Sequence, residues 1–249
     1  MRKKIITNKE SKISMVTYGS GKYEKSRQRL VKEAIQFGEF KNIFSYNYFD
    51  IPKDFRDKYK DILSLKRGGG YWIWKFPIIL KALEQMEKNE ILLYLDSGCV
   101  FNEKGKKRFG EYIELLEKSN NSILSFQMQH QAEKKWTTKE IFEYFKLDLD
   151  SDIANNGQLI ATVYFLKNNK NSINFIKDML TVLEKNKLLF TDYYNKNQKE
   201  FFRDNRHDQS ISSIWRKINN SIIIKDETYF KNFGNEESLN YPLWACRKV

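Results

Sequence analysis

The 249-residue chain carries 44 Lys and Arg against 32 Asp and Glu, a formal charge of +12, with 15% aromatic residues and two cysteines. That length suits a single α/β domain with a core large enough to need no staple; Cys99 and Cys246 form neither a metal spacing nor a disulfide framework, which fits a reducing cytosol. No apolar run approaches the ~20 residues of a membrane span, and the basic N-terminus lacks the apolar core of a signal peptide, so a soluble cytoplasmic protein is expected.

In chain order, residues 1–12 read as a basic tail and 13–18 as a first strand. Residues 23–37 read as an amphipathic helix with Leu30, Ala34 and Phe37 on one face. Residues 42–48 suggest a second strand and 54–63 a helix. A clearer helix follows over 74–88, with Ile78, Ile79, Ala82, Leu83 and Met86 inward. Residues 91–95 form a continuous apolar run between polar flanks, the pattern of a central strand buried on both faces. Then come a helix at 106–118, a strand at 122–127, His130 in a polar loop, and a helix at 137–145 capped by Thr137 or Thr138. A strand at 159–166, helices at 172–186 and 208–217, a short strand at 222–224 and a C-terminal tail from 225 complete the chain. Strands alternating with helices imply βαβ units and a mostly parallel central sheet flanked by helices, in one domain spanning 1–249. Ligands of such sheets sit outside the carboxyl ends of the strands. Gly19 and Gly21, after the first strand, and Asp96-Ser97-Gly98, after the central one, belong at that edge.

Residues 67–75 read Arg-Gly-Gly-Gly-Tyr-Trp-Ile-Trp-Lys. Glycines permit close backbone approach, Tyr71 and Trp72 offer faces for a flat ring, and Arg67 and Lys75 can neutralise a phosphate, Arg67 as a fork and Lys75 as a point charge. Trp72 and Trp74 are two apart and cannot both face a ligand, and Trp74 is the better core candidate. The glycines are not a Walker loop, since no Gly-Lys-Ser/Thr follows. Asp96 ends the central strand, where a carboxylate could hold Mg2+ or Mn2+ against a diphosphate leaving group; Asp-Ser-Gly is also ordinary turn chemistry. His207-Asp208-Gln209-Ser210 opens the last helix. Asp208 there is either a general base or a helix-terminal acid complementing the dipole. Gln158, before the strand at 159–166, offers an amide suited to sugar hydroxyls.

A glycine-rich stretch closing on G-Y-W-x-W-K-P, a strand ending Y-L-D-x-G and a later H-D-Q-S make the chain similar to the small GT-A-type nucleotide-sugar glycosyltransferases of bacterial polysaccharide clusters and large viruses. The resemblance runs from Tyr18 to about Trp215. It departs at Phe76-Pro77, where the proline sits one place late, and at Gly98, where many GT-A enzymes carry a second Asp. It implies a GT-A-like, Rossmann-like fold and a nucleoside-diphosphate-sugar donor, a UDP-sugar first among several. A saccharide or lipid-linked saccharide would be the acceptor, in surface polysaccharide synthesis. It further implies that Tyr18 and Gly19 lie by the nucleotide base, and that Gly70, Ser97 and Gly98 belong to the donor site. His207 would join Asp96 on a metal, and Asp208, Asp192 or neither would serve as catalytic base, depending on the stereochemical outcome.

Two rivals remain: a nucleic-acid-binding module, suggested by the charge and the 15% aromatic content, and a sugar nucleotidyltransferase, which shares the nucleotide-binding sheet. A nucleic-acid binder should cluster cations with interleaved aromatics on one face. Here Lys is interspersed with Glu and Asp and the aromatics fall in core-like elements, so no nucleic-acid partner is expected. A nucleotidyltransferase should show a Gly-rich basic loop after the first strand, and Gly19-Ser20-Gly21-Lys22 is only an echo of one. Peripheral contact with an anionic membrane face also suits the charge.

Overall fold

The computed structural model describes residues 3–248. Nine strands are described: β1 (Lys4–Ile6), β2 (Ile13–Tyr18), β3 (Asn42–Tyr46), β4 (Ile91–Leu95), β5 (Val100–Phe101), β6 (Ile123–Ala132), β7 (Gly157–Lys167), β8 (Ile222–Lys225) and β9 (Leu243–Trp244). Five longer helices are α1 (Glu24–Phe37), α2 (Lys75–Leu83), α3 (Lys106–Lys118), α4 (Lys170–Lys185) and α5 (Asp208–Ile218).

The main sheet has the order β1-β3-β2-β4-β7-β6-β8. Strands β2, β3, β4, β6 and β8 run the same way, and β1 and β7 run against them. The sheet is therefore mostly parallel and flanked by helices, as the alternation of elements predicts.

Side-chain alternation along β4 splits the core in two. Ile91, Leu93 and Leu95 face a layer built with Leu30, Val31 and Phe37 of α1 and Phe109, Tyr112 and Leu116 of α3. Leu92 and Tyr94 face the other layer, built with Ile78, Ile79 and Ala82 of α2, Phe175 and Met179 of α4, and Ile211 and Ile214 of α5. Burial on both faces is why β4 is apolar throughout.

Both expected tails join the fold. Of residues 1–12, Met1 and Arg2 lie outside the described residues, but β1 pairs with β3 through Lys4–Phe44, Ile5–Ile43 and Ile6–Asn42. Of 225–249, Val249 lies outside them, yet β9 pairs with β5 through Val100–Trp244 and Phe101–Leu243. His130 lies within β6 rather than in a loop. The helix expected at 54–63 is two short ones, Lys53–Lys58 and Lys60–Leu63; a short turn at Gly68–Tyr71 follows, and the next longer helix begins at Lys75. Among the described residues no helix is long and apolar enough to cross a membrane.

Candidate active site

From β2 the chain crosses to β3 on one side, and from β3 it returns past β2 to β4 on the other. The carboxyl ends of β2 and β4 therefore flank a switch point, where a crevice opens outside a sheet of this kind. Tyr18-Gly19 end β2 and Asp96 follows β4.

The segment before α2 explains its glycines. Residues 68–72 all have positive φ, at 59, 59, 95, 52 and 59°. This left-handed turn costs about 1–2 kcal/mol per non-glycine residue, and three of its five positions are glycine. A Cβ on Gly70 would stand 2.6 Å from Leu63 Cα. The glycines thus serve the turn and its packing. The turn carries Tyr71 and Trp72 to His207, with ring centroids 5.0 and 5.5 Å apart respectively. Trp74 is core: it stacks on Tyr18 with centroids 3.8 Å apart, and its indole donates to Gly68 O at 2.9 Å. Tyr18 is accordingly buried against Trp74, on the strand end where a base-stacking ring was expected. Gly19 has no room for a Cβ, which would stand 2.5 Å from Tyr23 O.

Lys75 opens α2 and is 2% exposed. Its Nζ donates to the Asp208 carboxylate, donates to Ala161 O at 3.0 Å, and lies 4.0 Å from Asp96 Oδ1. Tyr94, on β4, donates its hydroxyl to Asp96 Oδ1. Burial pushes the Asp96 carboxyl up; the Lys75 charge and the Tyr94 hydroxyl pull it partly back. Asp96 keeps a 29% exposed side chain, whereas that of Asp208 is 6% exposed.

A second constellation forms around Asp192. Arg67 Nη1 donates to both its oxygens at 2.9 and 3.0 Å, Tyr71 Oη donates at 3.0 Å, and His207 Nε2 lies 2.9 Å from Oδ1. Arg67 Nη2 also donates to Asp204 at 3.2 Å. Partial burial raises the Asp192 carboxyl, but the bonds from His207, Tyr71 and Arg67 outweigh it and hold it below the ordinary carboxylate range. Burial keeps the His207 imidazole below its ordinary value despite Asp192. His207 also has φ 55° and ψ −121°, a strained conformation for a buried non-glycine residue at a helix start.

Several expectations read differently in this geometry. Arg67 is held by two carboxylates and Lys75 by a buried one, so neither is a free cation. The structure pairs His207 with Asp192 rather than with Asp96. No three His, Cys, Asp or Glu side chains form a metal-ligand group among the described residues. Gln158 is fully buried. It donates to Glu133 at 2.8 Å and Thr137 at 3.2 Å, and accepts from Gln209 and Arg206 at 2.6 and 3.2 Å. Its amide is committed to a network that also joins Glu133 to Lys217 at 2.8 Å. Ser97 and Gly98 form the Asp96 turn; Ser97 O accepts from Arg29 at 3.0 Å, and Gly98 O accepts from the Lys248 backbone at 2.8 Å.

Sequence reasoning passed over Asp204, Arg206 and Arg247. Asp204 and Arg206 sit beside the H-D-Q-S segment in a polar stretch, and that adjacency was the available signal. Nothing local marks Arg247, which reaches the Asp96 turn only by folding back.

No protein-family description and no curated protein matches the chain by sequence. Solved structures do match. One is a glycosyltransferase involved in glycosylation of the major capsid of the virus PBCV-1, at 14% identity over 93% of this chain and 91% of that one, TM-score 0.52. Others are mouse xyloside xylosyltransferase 1, at 10% identity over 87% and 86%, TM-score 0.46, and the galactosyltransferase LgtC, at 12% identity over 92% and 83%, TM-score 0.46. Of these three only the viral enzyme exceeds a TM-score of 0.5, and at that identity the likeness concerns the fold. The chain has the mixed α/β fold of GT-A-type glycosyltransferases.

Proposed function

We propose that the chain is a glycosyltransferase that takes a sugar from a nucleoside-diphosphate donor bound across the carboxyl ends of β2 and β4. One observation carries this reading: Arg67, Tyr71, Lys75, Asp96, Asp192, His207 and Asp208, drawn from distant parts of the sequence, converge at one sheet edge in a glycosyltransferase fold. A fold alone does not fix an activity; charged side chains gathered at a switch point supply the chemistry.

The roles follow from exposure and pairing. Asp96 keeps an open edge at the end of β4 without a bidentate cation partner, and it fits a divalent ion of the kind that keeps several waters and needs one or two protein carboxylates. Such an ion would neutralise charge on the departing diphosphate. Lys75 holds Asp208 and lies beside Asp96, fixing both carboxylates. Asp208 is buried and paired with Lys75, which leaves Asp192 as the carboxylate placed to accept a hydrogen bond from an acceptor hydroxyl. Arg67, Tyr71 and His207 orient it and keep it ionised. The acceptor in this reading is a saccharide or lipid-linked saccharide, and the +12 charge supports contact with an anionic membrane face.

The test is release of nucleoside diphosphate from a panel of UDP-, GDP- and dTDP-sugars, with and without Mn2+. Turnover of one donor class, lost in Asp96→Asn, is expected. A chain that neither transfers nor hydrolyses any of them under either condition is not this enzyme.

A further inference from the structure

The cations expected to meet the donor's phosphates are already neutralised, Arg67 by Asp192 and Asp204, and Lys75 by Asp208. Two other guanidiniums at the same edge are not. Arg206 lies over the Trp136 ring at 3.7 Å from its centroid. Its side chain donates only to neutral groups: Gln158 Oε1 at 3.2 Å, Gln131 Oε1 at 3.4 Å and Met128 Sδ at 3.6 Å. Arg247 is exposed and stands in a segment clamped to the Asp96 turn. The Lys248 backbone donates to Gly98 O at 2.8 Å, and Arg29 bridges Ser97 O, Cys99 O and Lys248 O at 3.0, 3.0 and 3.2 Å. A Cβ on Gly98 would stand 3.3 Å from Arg247 Cα, so the two backbones are in close contact. Among the described residues neither arginine makes an ion pair with a carboxylate.

We propose that Arg206 and Arg247 are the phosphate-binding pair of this site, Arg206 held from the loop before α5 and Arg247 delivered by the C-terminal segment. The proposal rests on the nucleotide-donor reading and names the residues that take its diphosphate. An anion bound at this edge would satisfy the forks of both guanidiniums, neither of which has a carboxylate in hydrogen-bond reach among the described residues. Burial brings Arg206 down to about 10; the Glu133 and Asp204 charges pull it back up and the nearby Arg247 charge adds to the fall, and Asp96 also feels Arg247. Arg206 is pre-positioned by its stack on Trp136, so little freedom is lost on binding. Arg247 sits at φ 56° in a segment held by the Lys248 backbone bond to Gly98 O and the Arg29 side chain.

Calorimetric titration of the full chain with inorganic pyrophosphate and with UDP, GDP and dTDP tests this. Arg247→Ala is exposed and should fold normally; Arg206→Lys keeps the charge but loses the fork and its stacking face. Each is expected to weaken pyrophosphate and nucleoside-diphosphate binding by roughly tenfold or more, the scale of one charge-assisted hydrogen bond. Arg247→Lys should fall between Arg247→Ala and the wild type. Undiminished binding of both ligands by folded Arg247→Ala and Arg206→Lys overturns the pair while leaving the donor reading intact. If pyrophosphate binds in an Arg247-dependent way but no nucleoside diphosphate binds better, the pair stands and the donor reading fails. A wild type that binds neither overturns both.

Discussion

Lys75 and Asp208, 133 residues apart in sequence, form an ion pair whose side chains are 3% and 6% exposed. Removing one partner of such a pair strands a charge inside the protein, at a cost of about 3–5 kcal/mol. Lys75→Met and Asp208→Leu should therefore each destabilise strongly, whereas the double variant should recover much of the loss. Urea unfolding of the four proteins checks this through the coupling term. Additive losses would show that the pair carries no mutual stabilisation.

Asp96 pays a stability cost for its position. Its folded carboxyl is raised above the ordinary value, so its cost is absent at low pH and grows as pH rises from about 4. Asp96→Asn should raise the melting temperature at pH 7 more than at pH 4, while abolishing donor turnover. Thermal unfolding at both pH values measures it. A destabilised variant at pH 7 would mean that Asp96 is chiefly a turn-former.

His207 gives a dependence of the opposite sign. Its folded value is depressed, so its contribution is complete above the unfolded value near 6.5 and is lost as pH falls below it. The depressed Asp192 carboxyl adds a loss at lower pH, below the ordinary carboxylate value of about 4 and down through its folded one. The wild type should lose melting temperature between pH 7 and 5 faster than His207→Gln. Parallel curves would remove His207 from the account.

Two glycines separate strain from crowding. Gly21 has φ 56° with open space around an added Cβ, whereas Gly70 has φ 95° with Leu63 Cα 2.6 Å from one. Gly21→Ala should cost about 1–2 kcal/mol from conformation alone; Gly70→Ala adds an overpacking cost of about 1–3 kcal/mol. Chemical denaturation compares them, and equal losses would mean that the segment after Leu63 yields freely.

The elements legible in the sequence were those whose burial sets a strong pattern. Ile91–Leu95 shows because both its faces are covered, and Lys106–Lys118 because one face packs on β-strands while the other is charged. Strands β1 and β9 did not show, since three- and two-residue edges are defined by partners far along the chain. The site was legible as residue types at a sheet edge, but not as pairings. That Arg67 meets Asp192 across 125 residues, or that Gln158 turns into a buried network with Glu133, is decided by tertiary packing. Arg247 was invisible for the same reason.

The central claim is that the edge at β2 and β4 binds a nucleoside diphosphate. Thermal unfolding with UDP, GDP, dTDP and CMP, each with and without Mn2+, tests it most directly. A ligand at 100-fold over its dissociation constant adds about 2.7 kcal/mol, which is ~5–10 °C for a chain of this size. The account predicts such a shift with one nucleoside diphosphate, absent in Asp96→Asn. No shift with any nucleotide, together with a shift by single-stranded nucleic acid at low salt, would contradict it and make the positive charge the functional feature.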